Sequence, residues 1–158
     1  MNVNARVSRR LVIGVLAALI AAGCATKPKM GSGDIVADRQ RLMKLNGASW
    51  ADVQAKAKAN QIEAIAVNAE TMALNAMHIP SIFPEGSLTD KSKAKPEVWQ
   101  KWAEFEKAAK NFETEAEKLR DAARAKNADL TQAIVKDFGR NACGTCHTPF
   151  RVPPPPRS

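Results

Sequence analysis

Residues 96–123 read PEVWQKWAEFEKAAKNFETEAEKLRDAA. Within this stretch Trp99, Trp102, Phe105, Ala109, Phe112, Ala116, Leu119 and Ala123 recur every three or four residues, the spacing that makes one face of an α-helix apolar. The positions between them carry charges of both signs, among them Glu104, Glu106, Lys107 and Lys110, as expected of a solvated face with i,i+4 pairs. Pro96 is well placed as a first-turn residue, where its missing N–H costs nothing. A helix of about seven turns with so strict a stripe must bury it against other elements.

Three further segments with the same period supply those elements. A first helix is expected from a cap at Asp34 to about Lys58, with Ile35, Leu42, Met43, Trp50, Val53 and Ala57 inward. Gly47 weakens it, and Ser49 followed by Asp52 has the form of a capping box that would break it. A second is expected from Gln61 to Met77, with Ile62, Ile65, Ala66, Ala69, Met72, Ala73, Ala76 and Met77 on one stripe, ended by Pro80 and Pro84. A fourth is expected from Ala128 to His147, with Leu130, Ile134, Phe138, Ala142 and Cys146 on one side. The Pro-, Gly- and Ser-containing residues 80–95 form the one long connection. No strand-like alternation is present, and aromatic and β-branched residues are too scarce for an all-β chain. The fold class expected is all-α, an antiparallel four-helix bundle over residues 34–152, whose ligand sites lie between facing helices. Residues 153–158, which begin with the four prolines 153–156, form a polyproline-like tail outside the core.

The remainder of the 158-residue chain concerns export. Arg6, Arg9 and Arg10 precede an apolar run from Leu11 to Ala22, closed by Gly23-Cys24, which is the pattern of a secretory signal peptide over residues 1–23. A buried N-terminal helix is the rival reading; a permanent membrane span needs a longer run, about 20 residues. Ala21-Ala22-Gly23-Cys24 resembles a lipobox, in which Cys24 becomes the lipidated first residue of the mature chain; ordinary cleavage nearby is the alternative. Ser8-Arg9-Arg10-Leu11 lacks the rest of a twin-arginine motif. Residues 24–33 then form a polar tether. The formal charge is +8, but three Arg and no acid leave with residues 1–23, so the mature charge is +5. No Gly-rich phosphate loop, basic stripe with interleaved aromatics or Ser-His-Asp set stands out, so neither nucleic-acid binding nor enzymatic activity is expected.

Cys143-Gly144-Thr145-Cys146-His147 carries the chemistry. Cys-x-x-Cys-His is the attachment motif for c-type haem: two thiols add to the haem vinyl groups, and the adjacent imidazole reaches the iron. A zinc site would need a second ligand pair, and only distant His78 and carboxylates are on offer. A thioredoxin-type pair belongs at a helix N-terminus beside strands, and a disulfide between Cys143 and Cys146 would be strained within a helix. The expected cofactor is one covalent haem c, held by Cys143 and Cys146 with His147 as axial ligand. Only 11 residues follow His147 and none is Met, so a sixth ligand must come from an earlier helix.

The chain resembles the class II cytochromes c, the cytochrome c′ group and its low-spin relatives. The likeness runs from Ile35 to Val152 and rests on four blocks: residues 39–47 (RQRLMKLNG), 79–84 (IPSIFP), 95–99 (KPEVW) and 142–151 (ACGTCHTPFR). It implies a bundle exported to the periplasm, with one haem on the fourth helix and, in many members, homodimers through the first two helices. It also implies that Met43 decides the function. With Met43 on the iron as sixth ligand, the protein is a single-electron carrier for periplasmic redox partners. With Met43 a core-filling thioether, the iron is five-coordinate and the protein binds nitric oxide or other small gases. Met72 and Met77 are expected in the core and His78 at the surface. Lys136, Arg140 and Arg151 flank the haem-bearing turn, where they would meet an acidic partner or the propionates, or simply form a solvated rim.

Overall fold

A computed structural model describes residues 33–154. The proposed signal peptide, the tether with Cys24, and the last four residues of the tail lie outside the described residues, apart from Gly33. Six α-helical pieces make the four expected bundle members: α1 (Ile35–Lys58), α2 (Ile65–His78), α3 (Glu97–Gln100), α4 (Trp102–Arg124), α5 (Ala128–Phe138) and α6 (Thr145–Phe150). Helix α3 is a single turn leading into α4, and α5 and α6 together form the fourth member. The all-α expectation holds among the described residues, where the one extended pairing is an isolated antiparallel bridge between Ala94 and Arg151.

Helix α1 starts where the sequence places it. The Asp34 carboxylate accepts from the N–H groups of Val36 and Ala37 at 3.0 and 3.1 Å, satisfying two of the unpaired first-turn donors. It does not break at Ser49. Trp50 stacks on Phe138 with ring centroids 4.9 Å apart, and Val53 is fully buried one turn later. The apolar contact of both residues outweighs the ~1 kcal/mol that a Ser cap would contribute. Asn60 in the left-handed region turns the chain sharply, so α2 begins at Ile65 rather than Gln61, while Ile62 is still buried in the turn.

Helices α2 and α4 form the most extensive pair in the bundle. Ala66, Ala69, Ala73 and Ala76 are buried on α2, and Ala108, Ala109, Ala116 and Ala123 on α4. Small side chains at such positions allow axes to approach at the short end of the usual 8–10 Å range. Arg124 and Arg120 of α4 also bridge to Glu70 of α2 at 2.9 and 3.3 Å. Met77, expected on the inner stripe, is 61% exposed. It lies beyond the last inward position, Ala76, which takes the buried site at the end of α2.

The third helix is interrupted at Lys101, where the backbone leaves helical angles. The interruption lets Val98 and Phe105 both enter the core, while the Trp99 indole donates to the carbonyls of Phe83 and Pro84 at 3.1 and 3.0 Å. In α5 the inward position of the first turn belongs to Thr131, not Leu130. The Thr131 hydroxyl donates to the Asn127 carbonyl at 2.7 Å and is therefore satisfied when fully buried; Leu130 is 49% exposed. The end of the expected bundle, at residue 152, is held by backbone bonds to the long connection: Lys95 N–H donates to Phe150 O at 2.9 Å and Val152 N–H to Lys93 O at 2.8 Å. That clasp fixes the long connection against the end of α6.

Candidate functional site

The fourth bundle member is not one continuous α-helix. Residues Gly139–Gly144 form a π-helical segment between α5 and α6. A π-bulge adds a residue to the turn and re-aims the side chains that follow it, and such bulges collect at functional sites. Its loosened backbone is supported from α4: the Asn111 side-chain amide donates to the Asn141 carbonyl at 2.7 Å. Thr145 donates its hydroxyl to Ala142 O at 2.8 Å and closes the following turn. Nothing in the hydrophobic pattern of residues 128–147 signals the segment; Gly139 and Gly144, which bound it, are the trace it leaves in the sequence.

Beside this segment lies a cavity of about 570 Å³, open to solvent on one side and lined by all four members of the bundle. Cys143, Cys146 and His147 line it from the fourth, Met43 and Trp50 from α1, Met72 from α2, and Phe105, Ala109 and Phe112 from α4. All four residues proposed as ligands or attachment points therefore meet on one cavity. Met43 is half-buried, whereas Met72 is completely buried among core residues and lines the same space. His78 is exposed at the end of α2 and is not part of the cavity, as expected. Of the three flanking cations, Arg151 lines the cavity; Lys136 and Arg140 do not, and Arg140 pairs with Asp137 at 2.8 Å.

Both cysteines are free thiols. Burial pushes the Cys143 thiol up and the Cys146 thiol up to about 11, with no neighbouring cation to draw either down. That is the opposite of an activated redox pair. No group of three or more His, Cys, Asp or Glu gathers among the described residues, so a zinc cluster has no counterpart there. The neighbouring protein desolvates His147, and together with the charge on Arg151 it holds the imidazole below its usual range. The ring is neutral at pH 7, with a nitrogen lone pair available to a metal.

Arg39 shows what else the cavity is built for. It lies on α1 one turn before Met43, is only 5% exposed, and lines the cavity. Its Nε donates to Ile82 O, one Nη to Ser87 O at 3.0 Å and the other to the Ser87 hydroxyl. The guanidinium lies over the Phe83 ring, 4.3 Å from the centroid. All its acceptors are neutral, two of its five N–H groups are unused, and no carboxylate pairs with it among the described residues. A buried cation without a counter-charge is costly, by several kcal/mol. An apolar disc carrying two carboxylates would fill the space and supply the missing charge, so the residues fit a haem group. The spacing Arg39, Met43, Asn46 along one helix face, rather than any motif, is the signal by which Arg39 and Asn46 could have been picked out. Asn46, also on the cavity wall, is 8% exposed and accepts from Asn75 at 2.8 Å, leaving its own Nδ2 without a partner.

The cytochrome c′ family model matches residues 34–151. Cytochrome c-556 of Agrobacterium tumefaciens (strain II Chrys) is 31% identical over 120 residues, covering 74% of this chain and 96% of that protein. The crystal structure of cytochrome c′ from Rubrivivax gelatinosus superposes with a TM-score of 0.66 at 27% identity, covering 76% of this chain and 96% of that one. The nitric oxide complex of the L16A mutant of cytochrome c prime from Alcaligenes xylosoxidans gives 0.68 at 25% identity, over 77% and 96%. With its four-helix bundle and its match across the whole of that bundle, the chain belongs to the cytochrome c′ family and carries one covalently bound haem c.

Proposed function

We propose that the protein is a periplasmic single-electron carrier rather than an enzyme, with Cys143 and Cys146 holding the haem, His147 as one axial ligand and Met43 as the other. The observation that carries this reading is that Met43 and His147, from the first and last helices, line one cavity. Bound haem supplies a one-electron ferric–ferrous couple, and Met/His ligation raises its potential. The chain's own contribution is positional. Trp50, Phe105 and Phe112 exclude water, and Arg39 offers two free N–H groups to propionate oxygens. Met43, half-buried on a flexible unbranched side chain, has the freedom to turn toward a metal, while Met72 is held in the core. Relatives named cytochrome c-556 and c-554 support the carrier reading only as kin.

A second reading is favoured by the nitric oxide complex among the similar solved structures: a five-coordinate haem that binds small gases. Stopped-flow mixing of the ferrous protein with nitric oxide separates the two. If Met43 is a ligand, it must leave first, so wild type binds slowly and Met43→Ala much faster. Equal, fast binding by both would establish the gas-binding site instead. Exposed Val67, Leu74 and Met77 on α2 and Leu45 on α1 further support self-association through these helices. Sedimentation of the purified protein, with a Leu74→Glu variant expected to be monomeric, tests that point.

A further inference from the structure

The cavity opening carries an unbalanced charge. Arg39, Lys44, Lys93 and Arg151 line the cavity, and no Asp or Glu does. None of the four forms an ion pair among the described residues, whereas on the outer helix faces Arg41, Lys110, Lys118 and Arg140 each pair with an acid three residues away. Lys44, Lys93 and Arg151 are exposed, while Arg39 is recessed behind them. Lys91 and Lys95 extend the charge along the connection that carries Lys93, and the backbone clasp to Phe150 and Val152 holds that connection beside the haem-bearing helix. Two propionates neutralise two of the four cavity cations at most, so the opening stays positive with haem in place.

We propose that this opening is the docking surface for a protein with an acidic face that exchanges electrons with the haem. The proposal rests on the carrier reading for the partner's redox role; the choice of an acidic surface rests on the charges alone. Complementary charge concentrates and orients such a partner at the opening of the cavity that would hold the haem. The step is a single electron passing from ferrous haem to the partner's oxidised centre, with no bond formed and no proton moved. Lipid headgroups would meet the same exposed cations but hold no centre that accepts an electron, so on the carrier reading an acidic protein surface is the better fit.

The test uses the haem-loaded protein and a poly-glutamate peptide as a stand-in for the partner's face. Its binding is followed by calorimetry at about 0.01 M and about 0.15 M ionic strength, where the Debye length falls from about 30 to about 8 Å. The wild type is expected to bind, with an affinity at least about tenfold weaker at the higher ionic strength. Lys44→Gln/Lys93→Gln should lose most of it, and Lys101→Gln/Lys107→Gln, equal in net charge but away from the cavity, should not. Oxidation of the ferrous protein by anionic ferricyanide should slow several-fold in the first pair only, and oxidation by the cationic tris(phenanthroline)cobalt(III) should not slow. Equal effects of the two pairs would show a response to net charge alone and overturn the proposal. Stronger binding to phosphatidylglycerol vesicles than to the peptide would overturn it in favour of a membrane. Neither outcome depends on the iron's sixth ligand, which the nitric oxide kinetics report separately.

Discussion

Replacing Arg39 with Met tests how the cavity is matched to its occupant. The apolar stem is kept, so packing against Phe83 and Trp99 survives, while the guanidinium and its three hydrogen bonds are lost. Hydrogen bonds from a charged donor contribute about 1.5–3 kcal/mol each, and a cation over an aromatic face about 1 kcal/mol. Against that stands relief of burying the charge, several kcal/mol in the absence of a counter-ion. In the haem-loaded protein the propionates offset only part of that burial, so the lost contacts outweigh the relief and Arg39→Met should cost about 3 kcal/mol. Arg39→Lys keeps the charge but cannot reach Ile82 O, Ser87 O and the Ser87 hydroxyl together, and should cost about half as much. Urea unfolding followed at the Soret band measures both. The reduction potential provides an independent readout. A positive charge on the wall of the cavity would favour the ferrous state of a haem held there, so Arg39→Met should lower the potential. Arg39→Lys should leave it nearly unchanged. If Met and Lys variants prove indistinguishable in both measurements, the charge of Arg39 is not engaged with the haem and the reasoning fails.

Other consequences are equally direct. Asn46 already leaves one buried amide nitrogen unpaired; Asn75→Ala would orphan its oxygen as well. Asn75→Ala should therefore destabilise by ~1–3 kcal/mol and Asn46→Ala by less, despite deleting the same bond, as chemical denaturation would show. Trp50→Ala removes the stack on Phe138 and should cost about 3–5 kcal/mol in the same assay. In chain made without haem attachment, the raised thiol of Cys146 should react with iodoacetamide at pH 8 about a hundredfold more slowly than an ordinary cysteine, and unfolding in urea should restore the rate. The linkage has a definite sign. Because the folded pKa is raised, the stabilisation is complete below the ordinary thiol pKa and fades as pH rises toward about 11.

The parts of this molecule that follow from periodicity were legible in the sequence, because burial enforces periodicity. The stripe from Phe105 to Ala123 is buried as read, and so are Val53, Ala57 and the alanines of α2. Errors cluster at helix ends: the inner stripe of α2 stops at Ala76, one residue short of Met77, and in α5 the inward place of Leu130 goes to Thr131. Thr131 shows why pattern alone fails there, since a hydroxyl satisfied by the Asn127 carbonyl is as buriable as a leucine. The local Ser49 cap lost to a continuous tertiary face. Within the site, Cys143, Cys146 and His147 announce themselves by covalent chemistry that needs fixed spacing. Arg39 and Asn46 do not, because their roles depend on Ile82, Ser87 and Asn75, which only the fold brings near. The π-segment escaped for a similar reason: its support comes from Asn111, on another helix.

The account turns on the iron's second axial position, and the spin state of the ferric protein is its most direct test. Electron paramagnetic resonance of the wild type should show low-spin iron, Met43→Ala should convert it to high-spin, and Met72→Ala should leave it low-spin. A high-spin wild type that Met43→Ala does not change would contradict the account and leave the five-coordinate gas-binding protein in its place.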